Sequence, residues 1–188
     1  METRSFSFKK TFQHPSEIDL FLALYALANT NPKKARQGIE ALQKKYPNAP
    51  HILNLLASVH FSLGHLRKGN RLVEENYRKN SDSLFAKINF ADLCLRRKKA
   101  QNIPEIFNQM FSLPALYPDR NMFHVCEFRG FMVLMGLYHL YMKKRAVAEE
   151  YHFFAAYVDP NHPGTQLLGK KLYAPSFFKR VFSRFFNQ

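Results

Sequence analysis

The chain has 188 residues, with 28 lysines and arginines against 14 aspartates and glutamates. An apolar share of 46% excludes a wholly disordered chain, and two cysteines, Cys94 and Cys126, are too few for a disulfide framework or a four-cysteine zinc site. The net charge of +14 favours an acidic neighbour, whether nucleic acid, anionic lipid or an acidic protein, without choosing among them.

From the N-terminus, residues 1–15 read as an extension carrying Phe6, Phe8 and Phe12, three aromatics that are costly to leave in water. The opening Met-Glu-Thr-Arg-Ser-Phe has no basic stretch leading into an apolar run, so no secretory leader is expected. The longest apolar runs, 20–28 and 131–142, fall short of the ~20 residues of a membrane-spanning helix. These features fit a reducing, cytoplasmic compartment, with peripheral contact at a membrane left open.

From residue 16 onward the chain is periodic. Leu22-Ala23, Leu56-Ala57 and Phe90-Ala91 recur at intervals of 34 residues, and Met135-Gly136 arrives 45 residues after the third, an insertion of 11. The frames are 16–49, 50–83, 84–117 and 129–162, with 118–128 as the insertion. Each frame reads as two antiparallel helices, which approach closely only where side chains are small. Position 8 is small throughout, at Ala23, Ala57, Ala91 and Gly136, and position 20 holds Ala35, Gly69, Ile103 and Ala148. Positions 7 and 24 supply apolar filling: Leu22, Leu56, Phe90 and Met135 against Ile39, Val73, Phe107 and His152. Tyr46-Pro47-Asn48 and Asp159-Pro160-Asn161 close the first and fourth frames, where proline stops a helix.

The third frame is degenerate. Ile103 and Pro104 delay its second helix to about Asn102, and Pro114 and Pro118 break the chain. No proline follows until after Lys144, so one helix of about 36 Å is expected from an Asp119 cap, with Gly130 as a possible break. A further helix is expected over 165–173, and Pro175 separates it from 176–186. There Phe177, Phe178, Val181, Phe182, Phe185 and Phe186 fall on one side of a helical wheel, and Lys179, Arg180 and Arg184 on the other.

The 34-residue spacing, the small residues at positions 8 and 20, Ala155 at position 27 and proline at 32 in the fourth frame resemble the tetratricopeptide repeat family. The resemblance implies an all-α, right-handed solenoid of helical hairpins with about four repeats, closed over 163–188 by a capping helix and the basic-aromatic segment. The alternative is an irregular helical bundle.

Catalysis has little support. The eight histidines form no His-Glu-x-x-His pattern, no Cys-x-x-Cys is present, and neither a phosphate loop nor a Gly-x-Ser-x-Gly elbow occurs. His139 and His152 are expected to meet inside the fourth hairpin. No catalytic residue, metal or cofactor is assigned.

The resemblance implies a concave groove lined by first helices. Its positions map onto Leu20 and Leu24; Asn54, Ser58 and Phe61; Phe85, Ile88, Asp92 and Arg96; and Leu137 and Tyr141. The carboxylate clamp of chaperone-binding relatives has no counterpart, since Leu20, Leu24, Leu55, Phe85 and Asn89 occupy those places. The expected function is a non-catalytic adaptor or assembly factor holding an apolar or amphipathic protein segment, although the chain's own termini could fill the groove.

An alternative is recruitment to an anionic surface, membrane or nucleic acid. Lys33, Lys34, Arg67, Lys68, Arg97, Lys98, Lys143 and Lys144 cluster near the turns and would form a basic ridge. The bland reading is a solvated edge whose cations complement helix C-termini. No RNA-binding signature accompanies them. Phe177, Phe178, Arg180, Phe182 and Phe185 would dock on a membrane or partner, or fold back onto the repeats.

Overall fold

The computed structural model describes residues 11–12 and 14–174, and these form ten α-helices and no strand. They divide into two units, residues 1–127 and 128–188. The segments 1–10 and 175–188, with Phe6, Phe8 and the basic-aromatic stretch, lie outside the described residues.

The first unit opens with three helical pairs. α1 (Pro15–Thr30) and α2 (Pro32–Lys45) are joined by Asn31, whose side chain accepts a hydrogen bond from the Lys34 amide. α3 (Pro50–Ser62) and α4 (Leu66–Lys79) follow, then α5 (Leu84–Arg96), a 3₁₀ turn (Ala100–Asn102) and the four-residue α6 (Ile103–Ile106). Each helix packs on the next from α1 to α5, and the first helices also touch one another, α1 on α3 and α3 on α5. α3 is therefore central. Ile52, Leu53, Leu56, Ala57 and Val59 are almost fully enclosed, each Ile or Leu stabilising the fold by roughly 1.5–3 kcal/mol.

Seven of the eight positions expected to be small are buried, and six of those hold a small residue. Ala57, Ala91, Gly136, Ala35, Gly69, Ile103 and Ala148 are buried, although Ile103 is not small. Ala23 is not: it is exposed, and so is Leu22. The physical reason is the start of the series. Leu56, at the same frame position as Leu22, packs beside α2 of the preceding pair, and no described helix precedes α1. α1 instead buries Phe21, Leu24 and Ala28, and its close approach uses a glycine of the partner helix. A Cβ on Gly38 would lie 2.6 Å from Leu24 Cδ2.

The second helix of the third pair starts at Ile103, the late start expected from Pro104, but it is only four residues long. The second arm of that pair is one 3₁₀ turn and one α turn, after which Asn108 and Gln109 take left-handed backbone. Buried Lys87 secures it, donating from Nζ to the Ile106 carbonyl at 3.0 Å. α7 (Leu113–Leu116) follows.

The helix expected from Asp119 begins six residues later: α8 spans Val125–Tyr141. Glu127 explains the displacement. Its carboxylate accepts from the His124 amide at 3.1 Å and from both terminal nitrogens of the Arg120 guanidinium, while His124 Nδ1 accepts from the Cys126 amide. That reciprocal cap starts the helix at Val125. The Arg120 guanidinium also lies 4.4 Å from the Phe123 ring centre, and the Tyr117 hydroxyl donates to the Asp82 carbonyl, so the insertion is stitched down.

In the second unit α9 (Arg145–Val158) is followed by α10 (Pro163–Tyr173), which starts two residues before the expected 165. Ala148, Leu168 and Leu172 form one enclosed cluster there, with Leu137 and Leu140 against them. Gly136 abuts Leu168, where an added Cβ would stand 2.3 Å from Cδ2. Arg129 and Asp159 pair at 2.7 Å.

Candidate functional site

Within the first unit, two stripes of side chains meet on the face made by the first helices. Asn54, Ser58 and Phe61 follow one side of α3 at helical spacing, and Asn89, Asp92 and Arg96 one side of α5. Asn89 Nδ2 donates to Asn54 Oδ1 at 2.9 Å, and the Arg96 guanidinium lies 5.2 Å from the Phe61 ring centre. Asp92 holds Arg96 through Nε at 2.9 Å, so the cation is fixed over the ring. Leu20 and Ser58 are exposed, and Phe61, Phe85 and Asp92 half-buried.

Several expected groove residues are occupied in the fold itself, and Phe61 is partly so, since its ring lies over Gly69 of α4. Leu24 is buried against Gly38, and Ile88 is buried in α5. Asn54 belongs to an amide chain. Fully buried Asn76 donates through Nδ2 to Asn54 Oδ1 at 2.7 Å and to the Pro50 carbonyl at 3.0 Å, and accepts from Asn80 Nδ2 at 2.8 Å. This chain ties α3, α4 and α5 together, and no sequence signal announced it. In the second unit Leu137 packs on the core while Tyr141 is exposed.

Phe12 of the N-terminal extension is buried against the first helices, on Phe21 of α1 and on His51, which stands one helical turn before Asn54 on the same side of α3. Its ring contacts Phe21, Tyr46 and His51 at centroid distances of 5.7, 5.4 and 5.2 Å. Burial pushes the His51 imidazole down to about 4.

The histidines serve local structure. His162 Nδ1 accepts from the Gly164 amide, as His124 does at its own helix start. His60 and His65 approach Nδ1 to Nδ1 at 3.3 Å. His139 stacks on Tyr151, whereas His152 lies against Gly169 and Tyr173, so these two do not meet as expected. Burial lowers the pKa of His60, His139 and His162, and raises that of the enclosed Cys94 thiol, which blunts its reactivity. Among the described residues no three His, Cys, Asp or Glu side chains gather as a metal site.

All eight ridge cations are exposed. Their helix positions differ from the solvated-edge reading: Lys33 and Lys34 sit in the first turn of α2, Arg67 and Lys68 in the first turn of α4, and Lys144 caps the start of α9. There the helix dipole opposes a cation. Arg97, after α5, is on the favourable end and pairs with Glu74. Lys98 and Lys143 occupy left-handed turn positions, with φ of 60° and 61°.

On another face of the first unit lie two hollows of about 380 and 430 Å³. Glu40, Gln43, Lys44, Leu56, His60 and Lys68 line the first; Glu74, Tyr77, Arg78, Phe90, Cys94 and Asn102 line the second. Each of these residues lies 34 positions from its counterpart, so the sequence period is also a spatial one.

No described helix is long and apolar enough to cross a membrane. Compared with known proteins, the sequence matches no family model and no curated protein.

Proposed function

We propose that the chain is a non-catalytic adaptor or assembly factor of tetratricopeptide type, using the first-helix face of its first unit to hold a segment of a protein partner. The observation that carries this reading is the convergence of the α3 and α5 stripes, with Arg96 fixed over Phe61 by Asp92. The 34-residue equivalence of the two hollows supports the repeat assignment beneath it. The face combines apolar surface at Leu20, Phe61 and Phe85 with a placed cation and carboxylate, which suits an amphipathic segment. Leu20 and Ser58 are exposed, so Leu20→Arg with Ser58→Arg should abolish partner capture while leaving the helical circular dichroism unchanged. Unchanged capture rejects the face.

A second reading, recruitment to an anionic surface, is favoured by the cations in the first turns of α2 and α4, where the dipole gives them no local reason to be. Binding to anionic vesicles or RNA that weakens steeply with salt and is lost in Lys34→Ala with Lys68→Ala would establish it. Salt-independent capture of a protein would dismiss it.

A further inference from the structure

The solvent side of α9 carries an aromatic cluster. Phe153, Phe154 and Tyr157 are 64%, 48% and 80% exposed, with Phe153 against both neighbours at centroid distances of 5.6 and 6.4 Å. In the frame these are positions 25, 26 and 29. The first two frames hold Glu40, Ala41 and Lys44, then Glu74, Glu75 and Arg78, at those places. Glu40 with Lys44 and Glu74 with Arg78 line the two hollows.

Each hollow has three walls. The second helix of one pair gives Glu40 and Lys44, the first helix of the next gives Leu56 and His60, and the arm after that gives Lys68, Arg71 and Leu72. Beyond α9 the second wall is present as α10, where Gly169 and Tyr173 hold the frame positions of Leu56 and His60. Both meet His152 of α9: a Cβ on Gly169 would stand 2.7 Å from its Nε2, and the Tyr173 ring lies 5.5 Å from its centre. The third wall falls by count on Val181, Arg184 and Phe185. Where the first hollow sets charge against charge, the last would set Phe153 and Tyr157 against Val181 and Phe185.

We propose that residues 176–186 form the second arm of a final hairpin with α10 and cover Phe153 and Tyr157 of α9. The proposal rests on the hairpin repeat but not on the partner-binding face. Ala174 and Pro175 supply a two-residue link, between the one residue joining α1 to α2 and the three joining α3 to α4. Charge agrees: Glu150, exposed on the same side of α9, complements Arg184 of the third wall and would be repelled by anionic lipid.

The chain has no tryptophan, so Phe185→Trp in the full chain is a clean reporter. Its emission should be blue-shifted, and acrylamide quenching severalfold weaker than for the same chain in denaturant. Adding Phe153→Ser and Tyr157→Ser should return both to the denatured values with the helical signal retained. Should that variant lose its helical signal, the reporter in the unaltered face decides alone. Denatured-like emission in the full chain overturns the proposal. So does protection that appears only with phosphatidylserine-containing vesicles, which assigns the segment to a membrane, or protection that grows with protein concentration, which assigns it to a second copy. Partner capture by the Leu20 and Ser58 variants is read separately, so loss of one account leaves the other standing.

Discussion

Replacing Asn76 by alanine is the sharpest stability test, because its side chain is fully enclosed and makes three hydrogen bonds. Removing it leaves the Pro50 carbonyl without that donor and frees Asn80, while Asn54 Oδ1 keeps its bond from Asn89. At about 1 kcal/mol net for each bond, the loss is about 3 kcal/mol. For a chain of this length that corresponds to a fall in melting temperature of about 6–12 °C. Urea unfolding followed by far-ultraviolet circular dichroism measures it, with Ser58→Ala on the exposed side of α3 as control, expected near zero. A double-mutant cycle with Asn54→Ala should show coupling, because the two amides share a 2.7 Å bond. If Asn76→Ala costs no more than the control, the amide chain does not hold α3, α4 and α5 together. Asn54 then returns to the partner-binding face.

Acid should destabilise the first unit through His51. The unfolded chain takes up a proton below 6.5 but the folded one only below about 4, so stability present above 6.5 declines across that window, by at most about 3 kcal/mol from this group. His51→Leu should flatten the pH dependence of unfolding between those limits, and an unchanged slope would contradict it. Gly136→Ala should destabilise despite alanine's helix preference of about 1 kcal/mol, because enclosed Leu168 cannot yield and overpacking costs about 1–3 kcal/mol; trimming Leu168→Val should recover most of the loss in thermal melts. Arg120→Met should cost about 2–3 kcal/mol by stranding the buried Glu127 carboxylate, and limited proteolysis should then cut within 117–124.

Much of the helical layout was legible because it depends on spacing. The 34-residue recurrence marked the hairpins, and Pro32, Pro50, Pro104 and Pro163 each stand in a first helical turn, where the missing amide costs nothing. What failed depended on neighbours that spacing does not reveal. Ala23 and Leu22 carry the right residue types, but their burial needs a preceding pair. Asp119 is a good cap in isolation, yet His124 and Glu127 make a reciprocal one. Asn54 looked like a groove residue because its amide sits on the right helical face; the partners that claim it come from α4 and α5. Three histidine roles, cap, stack and buried neighbour, are indistinguishable in sequence because each needs only an imidazole beside a suitable atom.

Site-specific photocrosslinking asks the functional question most directly. A photoreactive residue placed at Ser58 of the full chain, on the first-helix face, should join covalently to a protein partner. The same residue at Arg78, which lines the second hollow on another face, should not. Adducts from position 78 and none from 58, or adducts to lipid or RNA in place of protein, would contradict the partner-binding face.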